Sequence, residues 1–239
     1  RGSRFFYTEN PYISERLEKL IPKSTVYTIS NYYNQVFDMP ECWKRDCVLP
    51  PFDGITFLTI TASYPHKNLA IAIDIAKQMK QQHSNFMFRF VFTVKEKDLP
   101  PMPQDLKKHF VFIGKVDITE CPFLYEQSNI MFMPTLLECF TATYPEAMRM
   151  KCPIITTDLE FARGLCKNAA YYYDALSAES ATEALYKVAT NKELQSKLIV
   201  AGIEQLKMYD TYEQRADKLI EIMEQLVGSN KKIDNHVHL

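Results

Sequence analysis

The sequence predicts an α/β protein built on a Rossmann-like, doubly wound parallel sheet with a helical carboxy-terminal segment. Three observations carry this. From residue 55 onward, short runs of branched and aromatic residues recur at intervals; segments of helical period separate them; and the last third is helical throughout. Strands alternating with helical segments form a parallel sheet, because parallel neighbours need crossover connections. With 239 residues, 46% hydrophobic and 24% charged, the chain can bury a sizeable core and has the composition of an ordinary globular protein.

The elements follow in order. FFYT (5–8) reads as a strand, Pro11–Leu20 as a helix with Asn10 as N-cap and Pro22 beyond its end, and VYTI (26–29) as a second strand before a loop-rich stretch to Pro50 and Pro51. This piece has too few strands for a domain, so residues 1–50 are expected to be an interdomain linker and the remnant of an amino-terminal neighbour. Residues 51–227 are expected to form the Rossmann-like domain, with strands at 55–60, 86–93, 110–113, 130–133, 153–156 and 170–173. Leu69, Ala72, Ile73, Ala76 and Met79 fall at helical spacing and predict a crossover helix over 68–82. Three apolar stripes, beginning at Ala181, Leu194 and Ala216, read as core seams of carboxy-terminal helices. The stretch 228–239 lacks periodicity and is expected to be a loose, disordered tail.

Composition excludes several classes. Only 6 glycines occur, about 2.5% where about 7% is usual, and no two lie close enough for a G-x-G-x-x-G loop or a P-loop. A bound phosphate must therefore be held without a glycine-rich cradle. Lys plus Arg total 28 against 29 for Asp plus Glu, which leaves no basic excess for nucleic acid. The 6 cysteines are scattered and lack metal-ligand spacing, so they are expected to be reduced thiols in a cytoplasmic setting, with no metal site. No apolar run approaches the ~18 residues of a membrane span, and no signal peptide opens the chain. It begins Arg-Gly-Ser without an initiator Met, which is expected of a cloning scar or a fragment.

The chemistry concentrates between residues 130 and 158. There the sequence runs from the strand IMFM through Pro134 and a loop with Glu138 into a helix whose first turn holds Pro145 and Glu146, then through Pro153 into the next strand. Proline suits a first helical turn, and ligands of doubly wound sheets bind off the carboxyl ends of the strands. The helix start near Thr141–Pro145 offers free backbone N–H groups and a positive dipole end, suited to a phosphate or sugar oxygen. A carboxylate such as Glu146 can accept two hydrogen bonds from the vicinal diol of a ribose.

These residues carry a resemblance. The Glu-x7-Glu pair, set in P-[ST]-x-x-E-x-F-x5-E-A-M-x4-P, is similar to the signature of the group 1 (family 4) retaining glycosyltransferases, enzymes of the GT-B fold. SYPHKN (63–68), FIGKV (112–116), LYEQS (124–128) and NAAYYYD (168–174) match in order, and the similarity covers roughly residues 55–225. Residues 5–37 resemble the family's interdomain passage.

The resemblance implies that this chain is the carboxy-terminal, donor-binding half of such an enzyme, with the acceptor held by an amino-terminal domain. By similarity, Glu146 would bind the ribose hydroxyls, Glu138 the donor sugar near the reacting carbon, and Lys67 the diphosphate. Glu138 and Lys67 are the catalytic candidates. The backbone of Cys139, Phe140 and Thr141 would face sugar and phosphate; Gly114, Lys115 and Val116 would lie beside the base; His66 and Asn68 would flank the lysine. The implied substrate is a UDP- or GDP-sugar, with no further cofactor and no metal. The implied reaction is retaining transfer of a hexose to a glycan or lipid-linked acceptor, the setting is polysaccharide biosynthesis, and the place is the cytoplasm, at the inner membrane face when the whole protein associates peripherally.

The sequence also departs from the family pattern. Where the family often has Gly-Arg at the end of the first strand of this domain, Thr61-Ala62 stands, so one expected cation is missing. E-G-F-G is replaced by Glu138-Cys139-Phe140-Thr141, and Phe92-Thr93-Val94 replaces a glycine turn. The donor pocket should therefore carry more side-chain bulk than its relatives. A catalytically lapsed nucleotide- or glycan-binding regulatory domain, another GT-B enzyme such as a nucleotide-sugar epimerase, and a plain interaction module are the alternative readings. Ordinary roles exist as well: Glu146 stabilises a helix dipole, Tyr125 packs, Ser128 forms a turn, and His83 and His109 are expected to be exposed loop residues.

Overall fold

The computed structural model describes residues 3–234. The chain divides into two units: residues up to Tyr32 together with those from Met208 on, and Tyr33–Lys207. The sequence places the division at residue 50. Tyr33–Leu49 instead belongs with the larger unit, where Val36, Phe37 and Leu49 are buried and the Leu49 N–H donates to Gln127 Oε1 at 2.8 Å.

In the smaller unit β1 (Phe5–Thr8) and β2 (Thr25–Thr28) pair in parallel, joined by the crossover helix α1 (Pro11–Leu20). Asn10 caps that helix as predicted, its side chain accepting from the Tyr12 N–H at 3.0 Å, and Pro11 stands where a helical N–H would have no partner. Ser14 is buried beneath the pair, with its hydroxyl 2.6 Å from the hydroxyls of both Thr8 and Thr28. The long helix Tyr212–Asp234 belongs to the same unit through Arg215, which pairs with Glu9 at 2.8 Å. That helix continues through residues 228–234, where the sequence suggests a loose tail; elongation adds a backbone bond per residue without needing an apolar stripe. Residues 235–239 lie outside the described residues.

The larger unit contains β3 (Ile55–Thr59), α2 (Ile71–Gln82), β4 (Phe88–Phe92), β5 (Phe110–Phe112), α3 (Cys121–Glu126), β6 (Ile130–Met133), α4 (Thr143–Arg149), β7 (Ile154–Thr157), α5 (Glu160–Cys166), β8 (Ala170–Tyr173), α6 (Ala178–Thr190) and α7 (Lys192–Leu206). The six strands form one parallel sheet in the order β5-β4-β3-β6-β7-β8. All six predicted strands are present, with ends shifted by no more than two residues.

The strands read as nearly continuous apolar runs because helices cover both faces of the sheet. Phe90 in β4 lies 5.3 Å from Phe57, 5.5 Å from Phe110 and 5.7 Å from Phe132, ring centroid to ring centroid, so aromatic rings from four strands fill one layer. Against that layer α2 buries Ala72, Ile75, Ala76 and Met79, and α6 buries Ala181, Leu185 and Val188. The helix α2 begins at Ile71, three residues later than the spacing suggests, because Pro65–Lys67 forms a 3₁₀ turn and Asn68 takes a left-handed conformation at φ 51°. Asparagine is among the few residues that adopt it readily.

From β3 the chain winds outward through β4 and β5, then crosses back to β6 and winds the other way. The winding reverses between β3 and β6, and doubly wound sheets take ligands beyond the carboxyl ends of the strands at such a reversal. Neither His83 nor His109 is a free loop residue. His83 stacks on Tyr186 at 3.5 Å, and His109 stacks on Phe88 at 4.3 Å with Nδ1 placed 3.0 Å from the Phe88 carbonyl. The aromatic rings of the core extend to the loop ends and take up the imidazoles.

Candidate functional site

Two loops leave the sheet at the reversal. Residues 60–68 follow β3, and residues 134–142 follow β6. Their backbones are joined, since the Leu136 N–H donates to the His66 carbonyl at 2.7 Å. Across this junction the Lys67 ammonium pairs with Glu138 Oε1, and the two side chains are only 13% and 10% exposed. Glu138 Oε1 also accepts from the Thr135 hydroxyl at 3.0 Å. The structure thus brings together the two catalytic candidates, 71 residues apart in sequence.

A buried ion pair is costly to desolvate and costly to break, so each partner constrains the position of the other. Asn68 sets the approach of Lys67. Its left-handed backbone closes the 3₁₀ turn through its own N–H to the Pro65 carbonyl at 3.2 Å, while its buried Nδ2 has no hydrogen-bond partner. The His66 ring stacks on Tyr64 at 5.7 Å, and Tyr64 is exposed.

The end of β3 is held by hydroxyls, at positions where the family resemblance implied glycine. Thr93 Oγ1 accepts from the Thr61 N–H at 2.8 Å and donates to the Thr61 carbonyl at 2.9 Å. Thr61 Oγ1 faces the Ala62 carbonyl at 3.2 Å, so the backbone N–H of Thr61 is already engaged. Ala62 is exposed. Gly114, after β5, has φ 73°, a conformation that favours glycine, and its N–H donates to the Val94 carbonyl at 3.2 Å; Lys115 beyond it is exposed and Val116 half-buried.

The helix α4 starts at Thr143, two residues beyond Thr141. Thr141 is buried, and its hydroxyl donates to the Thr143 hydroxyl at 3.2 Å. Cys139 is exposed and Phe140 half-buried in the preceding loop. Glu146 stands in the first turn and is 5% exposed. Burial, with no ion pair to Glu146 among the described residues, raises its carboxyl from 4.5 to about 7, and the nearby Tyr125 hydroxyl offsets part of the rise. Tyr125 donates to the Thr143 carbonyl at 3.2 Å, and burial, together with Glu146, pushes its own phenol well above 10. Beside it, burial and the charge of Glu146 take the Cys121 thiol to about 12.

Sequence reasoning missed two members of this arrangement. Tyr125 lies in LYEQS and Thr135 in P-[ST]-x-x-E, yet only the fold shows that one hydroxyl faces Glu146 and the other holds Glu138. Among the described residues no three His, Cys, Asp or Glu side chains stand together as a metal-binding group, and no helix is long and apolar enough to cross a membrane.

The six-stranded parallel sheet with helices on both faces, wound in both directions from β3, has the Rossmann-like architecture of one half of a GT-B fold. The family model of glycosyl transferases group 1 matches residues 48–205, about two thirds of the chain, and the chain belongs to that family. No curated protein sequence matches it. Its fold is similar to that of sucrose-phosphate synthase from Thermosynechococcus elongatus, with a TM-score of 0.73 and 12% identity over 95% of this chain and 59% of that one. It is likewise similar to a variant of TarM from S. aureus in complex with fondaparinux, α-GlcNAc-glycerol and UDP, with a TM-score of 0.69 and 14% identity over 90% of this chain and 43% of that one. A third is the α,α-trehalose-phosphate synthase (UDP-forming) from Burkholderia vietnamiensis, with a TM-score of 0.71 and 8% identity over 91% of this chain and 58% of that one. The chain therefore spans about half the length of these structures.

Proposed function

We propose that this chain binds the nucleoside diphosphate of a sugar donor beyond the carboxyl ends of β3 and β6, for metal-independent, retaining transfer of a hexose to a glycan or lipid-linked acceptor. The observation that carries the reading is the Lys67–Glu138 pair at the sheet reversal. A diphosphate arriving at the sheet reversal meets Lys67, which exchanges one oxyanion for another and leaves the Glu138 carboxylate in place for the sugar. As the glycosidic bond to phosphate breaks, negative charge grows on the leaving oxygen, and a fixed ammonium in a poorly hydrated site stabilises that charge more in the transition state than before it. An acceptor hydroxyl attacks from the face that the phosphate leaves, its oxygen bonding to the sugar carbon as the sugar–phosphate bond breaks and its proton passing to the departing phosphate, which gives retention. Glu146, in its carboxylate form, accepts the ribose diol.

Two of the similar structures support the donor class by their descriptions, one in complex with UDP and one UDP-forming. The acceptor would be held by a further amino-terminal domain, and polysaccharide assembly in the cytoplasm, at the inner face of the membrane, is the setting the family resemblance suggests. The alternative of a catalytically lapsed domain draws on the exposed Ala62, which supplies no second cation beside Lys67. Label transfer from UDP-, GDP- and ADP-sugars, measured with the full-length protein, tests the proposal. Transfer with retained anomeric configuration in the presence of a chelator is expected; nucleotide binding without any transfer would favour the lapsed domain.

A further inference from the structure

The Thr135 side chain is 0% exposed and stands at the junction of the two site loops. Its hydroxyl lies 3.0 Å from Glu138 Oε1, 3.2 Å from the Leu137 carbonyl and 3.3 Å from the His66 carbonyl. All three are acceptors, and a threonine hydroxyl has one proton to give. The shortest contact is also the charged one, and a charge-assisted hydrogen bond is roughly twice as strong as a neutral one. The proton therefore goes to Glu138, and the two carbonyls, which have no proton to offer, are neighbours of the hydroxyl and not partners that hold it. The backbone of Thr135 is anchored separately, its carbonyl accepting from the Thr157 hydroxyl at 2.8 Å.

Thr135 and Lys67 converge on the same oxygen, Oε1 of Glu138, and neither contact uses Oε2. When a diphosphate draws Lys67 away, the Thr135 hydroxyl is the holder that remains. We propose that Thr135 is a positioning residue: it keeps Oε1 of Glu138 fixed as Lys67 turns to the diphosphate, so that Oε2 meets the hydroxyls of the donor sugar. The proposal rests on the donor reading given above. It assigns Thr135 to the sugar and not to the nucleotide, which makes the two separable.

The test is calorimetric titration of this chain with two matched pairs, UDP against UDP-glucose and GDP against GDP-mannose, using whichever pair the wild type binds. Thr135→Val keeps the side-chain volume and the backbone contact to Thr157 but removes the hydroxyl. The nucleotide sugar is expected to lose roughly fivefold or more in affinity while the nucleoside diphosphate stays within about twofold. Thr135→Ser should restore the wild-type values, and in a Glu138→Ala background Thr135→Val should have no further effect, as for two residues acting through one contact. Where Thr135→Val does not fold, Thr135→Cys carries the same comparison with a weaker donor. Equal losses for both ligands, no loss, or failure of serine to rescue would overturn the proposal. Silence of the wild-type chain toward both pairs would overturn the donor reading and this proposal with it, a result distinct from a wild type that binds and a Thr135→Val variant that matches it.

Discussion

Lys67 and Glu138, on loops that follow neighbouring strands of the sheet, form a largely buried ion pair at the point where the chain reverses its winding. Each strand alone would deliver a single charged side chain to the edge. Parallel pairing of β3 with β6, Phe57 opposite Ile130, brings the two loops side by side, and the Leu136 to His66 backbone bond locks them.

On the proposed reading Glu146→Ala should weaken nucleoside diphosphate binding at least about tenfold, since a charge-assisted hydrogen bond from a ribose hydroxyl to its carboxylate would be worth ~1.5 to 3 kcal/mol. Calorimetry with UDP and 2′-deoxy-UDP checks this. The wild type should prefer the ribonucleotide and the variant should not; an unchanged preference would remove Glu146 from the ribose.

Donor affinity should rise with pH across neutrality. The carboxyl of Glu146 is raised to about 7, and only its ionised form accepts both ribose hydroxyls. A nucleotide sugar is the suitable probe, because its diphosphate is a diester without an ionisation near neutrality. Affinity measured at pH 6 and pH 8 should differ severalfold in the wild type and not in Glu146→Gln.

The same group sets a stability slope of opposite sense. Its folded value, about 7, exceeds the ordinary 4.5, so the folded chain holds this proton more tightly than the unfolded chain does. The stabilisation from this proton is complete below about pH 4.5 and is lost as pH rises to about 7, amounting to about 3 kcal/mol across that window. In urea unfolding, Glu146→Gln should therefore gain on the wild type by about that much as pH rises; parallel profiles would contradict the burial argument.

The buried Tyr144 and Thr156 hydroxyls, 2.7 Å apart, link α4 to β7, and Thr156 also donates to the Met133 carbonyl at 3.0 Å. Thr156→Val leaves the Tyr144 hydroxyl without its partner and should cost roughly 1 to 3 kcal/mol in denaturant unfolding at unchanged slope. The double variant with Tyr144→Phe should cost less than the two single changes combined.

The strands were legible because a sheet covered on both faces writes itself as apolar runs, IMFM and AYYY being read to the residue. Motif spacing singled out Lys67, Glu138 and Glu146; the fold pairs the first two and buries the third in the first turn of α4. The tethering hydroxyls were not legible: Thr93 and Tyr125 make their contacts across 32 and 18 residues of sequence, Thr135 reaches Glu138 only three residues on, and nothing in a threonine or tyrosine alone marks it as a holder of another residue. The glycine count supplied an indirect signal. With few glycines to shape the strand ends, hydroxyl bonds shape them, as at Thr61 and Thr93. The start of α2 was misplaced because its apolar spacing continues backward into the turn that Asn68 closes.

The central claim is that Lys67 meets the diphosphate of a nucleotide sugar at the sheet reversal. Calorimetric titration of UDP, GDP and the corresponding nucleosides into the wild type and Lys67→Ala tests it most directly. The account predicts that one diphosphate binds the wild type well above its nucleoside, and that Lys67→Ala abolishes most of that difference while leaving nucleoside affinity within about twofold. Equal losses for nucleoside and diphosphate, or a wild type that binds neither diphosphate, would contradict it.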